Sequence, residues 1–117
     1  MKTFYHKMDK EVMMRGFQIE GNPTEYSDQA KELIGYKDKL FDVYISERLI
    51  CDDKFDKNHI EDCEREYKLH VDRMKCIVKE GDWIITDWYG IAMVMTTEQI
   101  YREFEETDRE YVKYFDR

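Results

Sequence analysis

The sequence predicts a single small α+β domain spanning residues 1–117, with an antiparallel sheet of about five to six short strands and two helices on one face. Three observations predict it. Short stretches of strand character recur through the second half, at 67–71, 74–78, 83–86 and 91–95. Two stretches at 22–35 and 96–106 have helical spacing and helix-start signals. The 117 residues, 42% hydrophobic and 15% aromatic, suffice for one buried core without a disulfide or metal.

Residues 1–10 are polar and are expected to fray. The run from Val12 to Ile19 has the apolar weight of a strand, with Gly16 as a candidate bulge. Gly21-Asn22-Pro23 then turns the chain. Asn22 or Thr24 can cap a helix that tolerates Pro23 in its first turn. Tyr26, Ala30, Leu33 and Ile34 repeat at helical spacing, and Gly35 suits its end. Residues 41–45 alternate with period two, as a strand does. Residues 46–66 are expected to be an insertion, with a short helix near His59–Arg65.

Tyr67, Leu69 and Val71 alternate, as do Met74, Cys76 and Val78, with Asp72-Arg73 as the turn between them. Gly81-Asp82 leads into Trp83–Thr86, and Trp88-Tyr89-Gly90 into Ile91–Met95, completing an antiparallel meander over 67–95. Thr96 or Thr97 caps the last helix, 97–106, and with Thr96 as the cap Gln99 stands three residues on, as a capping box requires; Ile100, Phe104 and Tyr101 are candidates for its buried face. The aromatic tail, Tyr111 to Phe115, is expected to add a strand or pack on the sheet.

A net charge of −8 opposes direct nucleic-acid binding, which needs Lys and Arg to replace phosphate counterions. No 18-residue apolar run suits a membrane span, and no apolar segment near Met1 suits a signal peptide. Three cysteines, Cys51, Cys63 and Cys76, without a CxxC are expected as reduced thiols, which gives a cytoplasmic location.

The residues Val78 to Gly90, with Gly81-Asp82-Trp83-Ile84-Ile85 at their centre, continue to Val94, Ile100 and Phe104-Glu105. This run resembles the closing signature V-x-P-G-D-[YW]-I-I…G…F-x-x-x-Y-E of small uncharacterised proteins of tailed phages and prophages. Phe17-Gln18-Ile19 and Leu33-Ile34-Gly35 stand where the opening strand and helix of those proteins fall. The similarity covers about half the chain, at its two ends, and Glu80 and Asp87 replace the signature's proline and glycine. It implies a phage or prophage accessory protein in the host cytoplasm, with a compact α+β fold, and carries no activity with it.

Candidate chemistry is sparse. His59, Cys63, His70 and Cys76 offer zinc-ligating atoms, but their spacing is not that of a zinc finger, so no metal and no cofactor are expected. Asp52-x-Lys54-x-Asp56-x-Asn58 echoes a calcium loop but lacks its glycine and its closing glutamate. There is no P-loop, dinucleotide fingerprint or nucleophile elbow, so no catalytic residue is assigned and the balance is against an enzyme.

Two contact features remain. Trp88 and Tyr89 stand at a hairpin tip, where paired aromatics suit a partner. Glu98, Glu105 and Glu106 suit a negative surface facing a basic protein. The functional expectation is a non-catalytic binder that modulates a host or anti-phage defence protein. The alternative is a small-molecule binder, for instance of a nucleotide signal, and a small enzyme stands behind both. The edge near 41–45 and the aromatic tail also offer surfaces for a homo-oligomer.

Overall fold

The computed structural model of the chain describes residues 1–35, 42–50 and 63–113. Among these, β1 (Lys2–His6), β2 (Asp9–Gln18), β6 (Trp83–Thr86), β7 (Ala92–Met95) and β8 (Phe104–Thr107) form a five-stranded sheet in the order β7-β6-β2-β1-β8. A second sheet holds β3 (Val43–Ile50), β4 (Glu64–Val71) and β5 (Met74–Val78) in chain order. Every pairing among these strands is antiparallel. The α+β class and the five-stranded antiparallel sheet are as the sequence predicts, and the three-stranded sheet adds to them.

The meander expected over 67–95 is divided between the two sheets. Asp72 takes a left-handed backbone (φ 54°) and closes the β4–β5 hairpin. After β5, Gly81 is also left-handed (φ 93°), and its N–H donates to the Ile19 carbonyl at 2.8 Å. That bond draws the chain to the end of β2, so β6 pairs with β2 instead of β5.

The N-terminus does not fray. Phe4 is fully buried, edge-on to Trp83 with ring centroids 5.6 Å apart, and its burial holds β1 as an inner strand. The one irregularity of the β1–β2 ladder lies between Tyr5 and His6, so Gly16 is not a bulge. It pairs regularly with Lys2 and Ile85, and its missing side chain leaves room for β6: a Cβ there would overlap the Ile84 carbonyl oxygen and stand 2.8 Å from Cγ1 of Ile85.

Asn22 accepts from the Thr24 N–H at 3.0 Å and starts a 3₁₀ turn, Pro23–Tyr26, that leads into α1 (Ser27–Ile34). Gly35 (φ 69°) ends α1 in the left-handed conformation. Thr96 and Gln99 form the expected capping box of α2 (Thr97–Glu103), with bonds of 2.9 and 3.1 Å. This helix is shorter than the sequence suggests. Phe104 turns extended, packs edge-on to His6 at 5.1 Å, and starts β8 along the edge of β1.

Two further expectations change. Residues 43–50 and 64–66 lie in the β3–β4 pair, which removes the ends of the expected insertion and the Glu64–Arg65 end of the expected short helix. Residues 51–62, Phe41, Tyr114 and Phe115 lie outside the described residues. The tail from 108 to 113 adds no strand and packs on the sheet through Arg109 and Tyr111.

Strand alternation assigns the core. Ile84 packs with Phe17, Ala30 and Leu33 and with the inner face of the second sheet, Val43, Leu69 and Val78 among them. Trp83 and Ile85, on the other side of β6, pack with Phe4, Met14 and Ile100. Helix α1 therefore covers one face of the five-stranded sheet and α2 the opposite face, so the two helices do not share one face as the sequence suggests, because Ile84 and its neighbours Trp83 and Ile85 point to opposite sides of β6. No helix among the described residues is long and apolar enough to cross a membrane.

Candidate functional site: the 87–91 turn and a methionine-lined groove

β6 ends at Thr86, and Asp87 builds the turn that follows. Its Oδ1 accepts from the N–H groups of Tyr89 and Ile91, both at 2.9 Å, while its carbonyl accepts from Gly90 N–H at 2.9 Å. Gly90 is left-handed (φ 83°), as the reversal requires. The turn carries Trp88 and Tyr89 with ring centroids 4.8 Å apart. Tyr89 is 42% exposed, Ile91 58% and Met93 39%, so the turn and the start of β7 present a run of apolar side chains to solvent.

Behind Trp88 lies a groove of about 230 Å³. Its apolar lining includes Met14, Met93, Met95 and Phe104, and two carboxylates, Asp87 and Glu103, border it. Strand register explains the convergence. Met93 pairs with Ile85 and Met95 with Trp83, while Met14 pairs with Phe4 and Phe104 with His6, which places all four on the α2 side of the sheet. No lysine or arginine is among the described residues that line it. Lys7, nearby, donates its ammonium to the Tyr101 carbonyl at 2.9 Å.

On the opposite face, Arg15 and Thr86 stand opposite each other on β2 and β6. Tyr111 lies over the Arg15 guanidinium at 4.9 Å, and its hydroxyl donates to the Asp87 carbonyl. Arg109 donates to the Lys10 carbonyl at 2.7 Å and stacks on Tyr5. The segment 108–113 thus straps this face and holds the turn from behind. Beneath it, the buried Thr86 hydroxyl and the Arg15 Nε make no hydrogen bond among the described residues.

The residues singled out in the sequence divide. Trp88 and Tyr89 adjoin the groove. The three glutamates do not converge. Glu98 pairs with Arg102 at 3.3 Å on α2. Glu105 and Glu106 are successive strand residues and point to opposite faces. Glu105 accepts from the Tyr5 hydroxyl at 2.5 Å, which raises the tyrosine's pKa. Glu106 is held by Lys2 at 2.8 Å and by the Tyr101 hydroxyl at 2.6 Å, and its pKa is lowered, chiefly by Lys2.

Of the four possible zinc ligands, the three described ones, Cys63, His70 and Cys76, are not assembled. Cys63 is disulfide-bonded, contrary to the expectation of reduced thiols throughout, while Cys76 is free. His70 pairs with Lys75 and the next residue, Leu69, with Cys76, so His70 and Cys76 project from opposite faces of the second sheet. His59 lies outside the described residues.

The outer face of that sheet holds one pair with chemical potential, Ser46 Oγ and His70 Nε2 at 2.6 Å. His70 stacks flat on Tyr44 with centroids 4.3 Å apart. Its pKa is lowered, first by burial and then by Lys75 and Lys68. A serine nucleophile needs a base that is itself oriented, together with oxyanion donors, and the groups around this histidine are an aromatic ring and two cations. The pair serves as a cross-strand link. A concavity of about 400 Å³ beside Tyr67 sets Arg65 and Lys79 against Glu64, Glu66 and Glu80, and Arg65 already pairs with Glu47 at 2.8 Å. It offers no net positive field to a phosphate.

The groove was missed in the sequence. Its signal was the Met93-x-Met95 alternation beside Met13-Met14, which reads equally well as core. Compared with protein-family models, curated proteins and solved structures, the chain matches none.

Proposed function

We propose that the chain is a non-catalytic binding protein of phage or prophage origin that modulates a host or anti-phage defence protein through the 87–91 turn and β7. The observation that carries the binding reading is the run of exposed apolar side chains at Tyr89, Ile91 and Met93 bordering the groove. Contiguous exposed apolar surface costs solubility, and monomeric proteins keep it mainly where a partner covers it. The phage assignment and the choice of a host or defence target rest on the resemblance of residues 78–105 to the phage signature. At this groove the small-molecule reading is weaker, because about 230 Å³ falls below the roughly 300–1,000 Å³ that encloses a typical small ligand, and the larger concavity beside Tyr67 sets Arg65 and Lys79 against three carboxylates.

Affinity capture from bacterial lysate tests the proposal, with the wild-type chain run beside a Tyr89→Ser, Ile91→Ser, Met93→Ser variant. These side chains are exposed, so the variant keeps its fold, which circular dichroism checks. A specific protein recovered by the wild type and lost with the variant supports the reading. Recovery of the same proteins by both, or of none above background, overturns it.

A further inference from the structure

We infer that the groove behind Trp88 takes a peptide segment of a partner protein, anchored by one apolar side chain and flanked by lysine or arginine. The inference rests on the binding reading above and names the chemistry of the partner. Three observations carry it. The first is size: about 230 Å³ matches one or two bulky side chains rather than a whole small molecule. The second is the lining. Unbranched thioethers at Met14, Met93 and Met95 rearrange easily and accept differently shaped apolar anchors.

The third is charge. Asp87 and Glu103 border the opening, and no lysine or arginine lines it among the described residues: Lys7, beside Glu103, is bonded to the Tyr101 carbonyl, and Lys113 lies against Gly90 outside the lining. Glu103 is exposed at the end of α2, where a carboxylate can meet an incoming ammonium or guanidinium without prior desolvation. An acidic flank on the peptide would place like charges together, so the rim selects for basic flanks and against acidic ones.

The test uses fluorescein-labelled synthetic peptides, each with one Leu or Phe anchor flanked by Lys/Arg, by Ser or by Asp/Glu. Binding to the full chain is read by fluorescence anisotropy at low and high salt. Basic-flanked peptides are expected to bind about tenfold or more tightly than acidic-flanked ones, with the preference shrinking as salt screens the rim. Glu103→Lys should abolish or reverse the preference, and Met93→Ser should weaken all peptides alike. Both positions are solvent-accessible, so the two variants separate charge from anchor without relying on a core change.

Equal binding of all three peptide classes, binding of none, or a preference unmoved by Glu103→Lys overturns the inference. A lysate partner retained alongside any of these results leaves the broader binding reading standing, so the two fail separately. A second copy of the chain is the competing occupant. Dimers in sedimentation that Met93→Ser dissociates would overturn the peptide assignment.

Discussion

The indole N–H of Trp83 donates to the Thr97 hydroxyl across 2.9 Å, and the Gln18 amide reaches the same oxygen at 3.3 Å. One hydroxyl on α2 thus ties together β6 and β2, and it satisfies the only polar atom of a tryptophan that is otherwise buried. Thr97→Val keeps the shape and leaves the indole N–H without a partner. The expected loss is about 1–3 kcal/mol, read from urea unfolding followed by tryptophan fluorescence. Thr97→Ser should retain most of it. An unchanged midpoint for the valine variant would show that the bond contributes nothing.

Gly16 stands so close to β6 that any side chain must displace backbone, since the nearest atom a Cβ would meet is a carbonyl oxygen. Gly16→Ala is expected to destabilise by about 1–3 kcal/mol, although alanine is ordinarily better than glycine in a strand. Thermal unfolding checks the sign. A variant as stable as the parent would mean that β2 and β6 separate more easily than their pairing suggests.

Thr86 gives the opposite expectation. The residue is 3% exposed, and its buried hydroxyl makes no hydrogen bond among the described residues. An unmet buried donor is a cost, and valine has nearly the same shape with no polar atom. Thr86→Val should therefore raise stability by about 1 kcal/mol. A clear destabilisation in the same urea experiment would point to a partner for that hydroxyl.

Burial, and then repulsion from Lys75 and Lys68, hold the His70 pKa below the usual histidine range, so the folded chain favours the neutral ring. The stabilisation this gives is fully present above the unfolded histidine's pKa, about 6.5, and is lost as the pH falls through the lower folded value. Lys75→Glu turns a repulsion into an attraction and should move the pKa upward. Proton NMR titration of the imidazole measures it directly. A value unmoved by the substitution would leave burial and Lys68 as the causes.

The sequence showed most clearly what local chemistry decides. Asn22, Gly35 and the Thr96–Gln99 box each act on their nearest neighbours, and each stands where their residue types imply. Partner choice between strands was not local. Nothing in Trp83–Thr86 says whether it pairs with the strand before it or with β2, about 70 residues back, because an alternating strand offers both edges alike. Phe104 was misassigned for the same reason. It sits at helical spacing from Ile100, and only the open edge of β1 makes it extended. The groove needed β1, β2, β7 and β8 in register before four scattered residues became one surface.

β6 has only four residues, yet all are buried, and they serve two interiors in turn: Ile84 one side, Trp83 and Ile85 the other. It is a party wall. Neither half of the molecule can melt without stripping the lining from its neighbour, so the two cores should be lost together in one cooperative step. The 87–91 turn is attached directly to the end of this wall, so the apolar surface it carries stands on a strand buried along its whole length.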